Sequence, residues 1–137
     1  MKQDDRHGLS ESAARVLAHR VLDSSQADHA RVNIASGRRA FIRSADNRIT
    51  TAGASDNTTV TITSVFGRRI ASVTTNALDR DGLADAVRRS EALARLAPEN
   101  PEYLPELGEQ HYADVEAYYD STGDLSPELL AEVQAMA

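Results

Sequence analysis

The sequence predicts an α+β domain: a mainly antiparallel sheet of about five strands, helices packed on one face, then an acidic C-terminal arm and a final helix. Three observations carry that prediction. β-Branched segments follow one another from Ala30 to Thr75 with no helical pattern between them, which removes the βαβ alternation of a parallel sheet. A stretch with helical spacing stands on either side of them. Pro98 and Pro101 then open a region rich in acidic residues.

Ser10 is a capping residue, and Ala14, Leu17, Ala18 and Val21 follow at helical spacing with Leu22 beside them. The spacing predicts a helix over about 11–24, ending in the polar cluster at 23–26. Ala30, Val32 and Ile34 alternate with polar neighbours, as in a half-buried strand. Ser36-Gly37 reads as a turn, with 38–44 returning as a second strand. Ala45-Asp46-Asn47 is a further tight turn, because Asp and Asn tolerate left-handed backbone. A short third strand over 49–52 and a loop at 53–56 follow.

From Asn57 to Phe66, Val60 and Ile62 share one face and Thr59, Thr61 and Thr63 the other. Gly67 marks the reversal, and 68–75 returns with Ile70 on one face and Ala71 and Val73 on the other. A sheet of this kind has one solvated or partner-facing side. Asp79 or Asp81 caps a second helix with Leu83, Val87, Ser90, Ala94 and Ala97 near one stripe and Leu93 beside it. Residues 98–124 read as an irregular arm with one helical turn around 112–119. Ser126-Pro127-Glu128 starts a last helix: a capping Ser, Pro at the first helical position, then an acidic turn. Leu129, Leu130, Val133 and Met136 give that helix an apolar face, yet no C-cap follows, which is the expectation for a piece of a longer protein. Residues 1–97 are the expected core, and 98–137 the arm and helix, as parts of one domain.

Composition excludes several functions. There is no cysteine, so disulfides, thiolate catalysis and Cys-bound metals are ruled out. With no Trp and two Phe, the core must come from Val, Ile, Leu and Ala. No apolar run is long enough for a membrane span, and the first residues lack the apolar stretch of a signal peptide, so a cytoplasmic protein is expected. The net charge of -6 hides an asymmetry. Residues 1–97 hold 15 basic and 11 acidic side chains, a balance of +4, whereas residues 98–137 hold 10 acidic and no basic ones. An acidic arm folded over a mildly basic body, or an arm that docks on a basic partner surface, would each produce that pattern.

No catalytic constellation stands out. His7, His19, His29 and His111 include no pair one helical turn apart, and Glu109 with His111 lacks a third ligand. The seven glycines are dispersed, so no phosphate-binding loop is present. Arg38-Arg39 and Arg68-Arg69, both assigned to reversals, could project from one sheet edge together with Arg43 and Arg48. Nucleic-acid binding is nevertheless not expected, because only Phe41 and Phe66 are near for base stacking.

Several segments in this order resemble the N-terminal domain of the TldD/PmbA family, zinc metallopeptidases formerly called modulators of DNA gyrase. They are Arg43-Ser-Ala-Asp-Asn47-Arg-Ile, the hairpin Val60-Thr-Ile-Thr-Ser-Val-Phe-Gly-Arg-Arg-Ile-Ala-Ser, and Thr74-Thr-Asn-Ala-Leu-Asp. The helix from Leu83 to Pro98 and the arm Glu99-Asn-Pro-Glu-Tyr-Leu-Pro complete the set. The resemblance covers roughly residues 10 to 137. It implies a dimeric cytoplasmic peptidase that degrades unfolded peptides or trims precursor peptides, with zinc held by an HExxxH helix. This chain has no such helix, so no catalytic or metal residue carries over, and zinc is expected only in a full-length member. On this reading the chain is non-catalytic and inactive alone, cut before the catalytic region; it helps to assemble a homo- or heterodimer and walls a cleft for a peptide substrate. Asn47 and Arg43 are the candidate binding residues, and of these only Asn47 matches a family position that the resemblance singles out; a left-handed turn explains Asn47 at least as well. The alternative is a stand-alone interaction or regulatory module without peptidase activity.

Overall fold

The computed structural model describes residues 8–46, 48–117 and 119–135. Seven elements follow in the order α1 (Glu11–Ser24), β1 (His29–Ala45), β2 (Arg48–Phe66), β3 (Arg69–Thr75), α2 (Arg80–Leu96), α3 (Asp120–Gly123) and α4 (Pro127–Ala135). The fold is α+β, with one sheet in the order β1-β2-β3 and β2 antiparallel to β3. Three long strands replace the expected five.

The difference has a local cause. Gly37 keeps ordinary backbone within β1, and Ser36 does not serve a turn. Its hydroxyl instead accepts from the Leu9 N–H at 2.9 Å and bonds the Thr58 hydroxyl at 2.7 Å. The segment 53–56 likewise stays in β2, because Phe41 lies against Gly53: a Cβ there would stand 3.0 Å from the ring. A glycine opposite an aromatic ring is a strand pairing as well as a turn signal. The reversals that do form use positive φ, at Asp46 (50°) and Gly67 (59°). Phe66 pairs with Arg69 across Gly67-Arg68, a two-residue loop with positive φ at its first position, as in a type II′ turn.

The chain divides into two compact units, residues 1–36 with 57–106 and residues 37–56 with 107–137. In the first unit, Ser10 caps α1 through the Ala13 N–H, and Asp79, not Asp81, caps α2 through the N–H groups of Asp81 and Gly82. Both helices pack on the face of the sheet that carries Val60, Ile62 and Val73; Leu17 and Val21 come from α1, and Leu83, Ala86 and Val87 from α2. Burying a side chain of this size contributes about 1.5–3 kcal/mol. Leu93 is 49% exposed and outside this core, and the place beside Ser90 belongs to Glu91. The Glu91 carboxylate, 5% exposed, accepts from the Gln26 N–H at 2.6 Å and the Ser25 hydroxyl at 3.0 Å, tying the end of α1 to α2.

On the opposite face, Thr61 bonds Thr74 at 2.8 Å and Thr63 bonds Ser72 at 2.7 Å, each across a paired register position. Val65 pairs with Ile70 on the same side. Much of this face is not solvated: Thr63 and Val65 are buried. The chain after α2 runs from β3 to β1, which lies beyond β2. Glu99 bridges Arg69, the Asn100 N–H donates to the Arg68 carbonyl, and Glu106 pairs with Arg31 at 2.9 Å. Arg31 alternates with the core-facing Val32, so this strap crosses the face that the helices leave uncovered.

In the second unit, the helical turn expected around 112–119 is displaced to α3, and residues 107–117 have no regular structure. Ser126 caps α4, accepting from the Leu129 N–H at 3.2 Å. Asn47, His7, Tyr118 and Met136 lie outside the described residues.

Candidate functional site

Arg38 and Arg39 lie inside β1 and not at a reversal, which removes the premise that they share an edge with Arg68 and Arg69. Arg68 is committed to structure: its guanidinium donates to the carbonyls of Asn100 and Pro101. Arg69 donates to the Arg95 carbonyl at 3.2 Å and stands 3.9 Å from Glu99. Arg43 is exposed on β1, and its carbonyl accepts from the Thr50 hydroxyl at 3.1 Å.

His19 and His29 are exposed on α1 and at the start of β1 in the first unit, and His111 is exposed in the second. Among the described residues, no three His, Asp or Glu side chains converge as metal ligands. Two carboxylates depart from their ordinary behaviour. Hydrogen bonds to the α2 N-terminus, chiefly from the Gly82 N–H, hold Asp79 below its usual pKa. The Ser126 hydroxyl does the same for Glu128, with a smaller contribution from Arg38. Both are helix-start carboxylates, poised for stability and not for acid–base work.

What the second unit does offer is a cavity of about 440 Å³. Arg38, Arg39 and Ala40 of β1 form one side. Ala117, Tyr119, Thr122 and Gly123 form another, and Leu125 and Leu130 complete it. None of the ion pairs among the described residues uses Arg38 or Arg39. The Arg39 guanidinium lies 5.7 Å from the centre of the Phe41 ring, a cation–π distance. Gly53 leaves room for that ring, so a glycine on β2 and a phenylalanine on β1 together fix an arginine. The arginine pair is visible in the sequence. Its meeting with Tyr119, Leu125 and Leu130 is not, because residues 98–124, which lead to them, have no periodicity to read.

A family model described as PmbA/TldA metallopeptidase domain 1 matches residues 30–94, from the start of β1 to the last turn of α2. No curated protein matches the chain. Among solved structures, TldE from Thermococcus kodakarensis is similar, with a TM-score of 0.71 at 15% identity. That match covers 90% of this chain and 27% of the TldE chain, so this chain spans about a quarter of its length. At such identity the likeness is one of fold. The matched segment holds the whole three-stranded sheet and the helix capped by Asp79, in the order and spacing that the sequence resemblance requires. Residues 30–94 thus match the first domain of the PmbA/TldA metallopeptidases, and the likeness to TldE is consistent with an N-terminal domain of the TldD/PmbA family.

Proposed function

We propose that this domain is a non-catalytic part of a zinc metallopeptidase, helping to assemble a dimer and walling a cleft in which an extended peptide pairs with the sheet. One observation carries the reading. β3 pairs with β2 only from Val60 onward, so from Arg48 to Thr59 the edge of β2 on that side has no strand partner among the described residues. Unpaired N–H and C=O groups on such an edge are a template for a further strand, and main-chain pairing accepts many sequences. Tolerance of sequence is what a peptidase acting on unfolded chains requires. The described residues do not fit a zinc site, so no step of hydrolysis is assigned to this chain.

Amide hydrogen exchange tests the reading, with the full chain and an unstructured hexapeptide of alternating Val and Thr ending in Leu. Protection of the amides of residues 48–59 on peptide addition is the expected result. Unchanged exchange at saturating peptide would refute the pairing, and one tightly held zinc per chain with peptide cleavage would refute the non-catalytic assignment.

A further inference from the structure

We infer that the cavity beside Arg38 and Arg39 binds the carboxylate of a peptide together with the apolar side chain next to it. This rests on the peptide-binding reading above and names the chemistry that the domain would select.

Three consecutive residues of β1 line the cavity, although alternate side chains of a strand point to opposite faces. A run of three therefore places the strand's edge, with its main-chain groups, against the cavity. β1 is the outermost strand, so this edge has no strand neighbour among the described residues. The volume, about 440 Å³, suits a terminal residue or one long side chain and not a folded partner.

Charge selects the ligand further. Among the described residues neither guanidinium makes a close ion pair, although Arg38 is near enough to Glu128 to lower its pKa, and a guanidinium fork matches a carboxylate with two parallel hydrogen bonds. The rest of the lining contributes no ionisable carboxylate, and Leu125 and Leu130 supply an apolar wall. A polyanion fits poorly, because residues 98–137 carry ten acidic side chains and no basic one. A single carboxylate delivered into a small cavity avoids most of that repulsion.

The carboxylate has two sources, a chain terminus or an Asp or Glu side chain, and three peptides separate them. These are the labelled hexapeptide above with a free C-terminus, its C-terminal amide, and the amide with Glu in place of the Thr before the terminal Leu. Fluorescence anisotropy with the full chain should show saturable binding of the free acid and about tenfold weaker binding of the amide. Recovery with the Glu peptide assigns the side-chain source, and no recovery assigns the terminus. Arg38→Gln and Arg39→Gln should each weaken the free acid by about tenfold, while Arg20→Gln, exposed on α1 and outside both the lining and the β2 edge, leaves it unchanged. If a variant melts early, competition on the unaltered chain replaces it: N-acetyl-leucine should displace the labelled peptide and N-acetyl-leucinamide should not.

Equal binding of acid and amide, or full affinity in both arginine variants, overturns the inference. So does a short oligonucleotide that binds with the same dependence on Arg38 when the peptide does not. Should residues 48–59 still gain exchange protection in such a case, only the cavity assignment fails. Loss of that protection as well removes both readings.

Discussion

Replacing Ser90 with alanine should destabilise the chain more than replacing Ser64, although both side chains are fully buried and bonded to each other at 2.7 Å. The asymmetry comes from counting protons. The Ser90 hydroxyl donates to the Val87 carbonyl at 2.9 Å, and a hydroxyl has one proton, so Ser64 must be the donor in the pair. Ser90→Ala leaves a buried donor with no acceptor, at a cost of about 1–3 kcal/mol. The higher helix propensity of alanine returns about 0.5 kcal/mol. Ser64→Ala removes only one of the bonds that Ser90 makes, and about 0.5–1 kcal/mol is expected. The double variant leaves an apolar contact between β2 and α2 and should cost less than Ser90→Ala alone. Urea denaturation measures all four proteins. With a slope of about 1–3 kcal/mol/M, a loss of about 1.5 kcal/mol moves the midpoint by about 0.5–1.5 M. The proton assignment is wrong if Ser64→Ala proves the costlier change, and the coupling is absent if the two single effects add.

Gly82→Ala should destabilise by about 1 kcal/mol in the same assay. Its Cβ would stand 2.5 Å from that of Ala77 and 3.0 Å from the Ala77 carbonyl, an overpacking that outweighs the gain of about 1 kcal/mol in helix propensity. A rise in stability would show that the loop before α2 yields easily. Tyr103→Phe should have the opposite sign, stabilising by up to about 1 kcal/mol, since the buried Tyr103 hydroxyl has no partner among the described residues. A clear loss would reveal a partner, such as a bound water. Asp79 gives a pH signature: with its pKa depressed, its contribution is complete above the unfolded value and fades as pH falls below about 4. Asp79→Asn keeps a cap without the charge, so its gap in melting temperature from the unaltered chain should narrow between pH 5 and pH 3. A constant gap over that interval would mean that the charge is not what the α2 N-terminus recognises.

Local rules were legible wherever one residue's chemistry decides a backbone state. Ser10 and Asp79 mark helix starts because their oxygens satisfy N–H groups that a helix leaves open. Asp46 and Gly67 mark reversals because the backbone there takes positive φ. Ser36-Gly37 failed as a turn because the same two residues also suit a strand crossed by side-chain bonds from elsewhere. Leu9 and Thr58, which make those bonds, are far away in sequence. Glu91 was missed for a related reason. A charged residue on an apolar stripe looks like a boundary of the core until the Gln26 N–H, sixty-five positions away, is seen to need an acceptor.

The same distinction governs the two candidate sites. Arg43 engages the fold through its carbonyl, which accepts from the Thr50 hydroxyl, and leaves its side chain exposed. Arg38 and Arg39 look like the ordinary charged face of a strand when read along the chain. Their significance depends on an irregular segment arriving at the edge of β1 with apolar groups and no acid in the lining. An acidic arm should place carboxylates against any arginine within reach, and here the nearby Glu128 is engaged by the Ser126 hydroxyl at the start of α4. A helix cap can therefore compete with an arginine for a carboxylate: the dipole and hydroxyl at the start of α4 hold Glu128 more than the charge of Arg38 does. Ser126→Ala consequently belongs with the arginine variants, since freeing Glu128 to turn toward Arg38 should weaken the carboxylate peptide without altering the cavity wall.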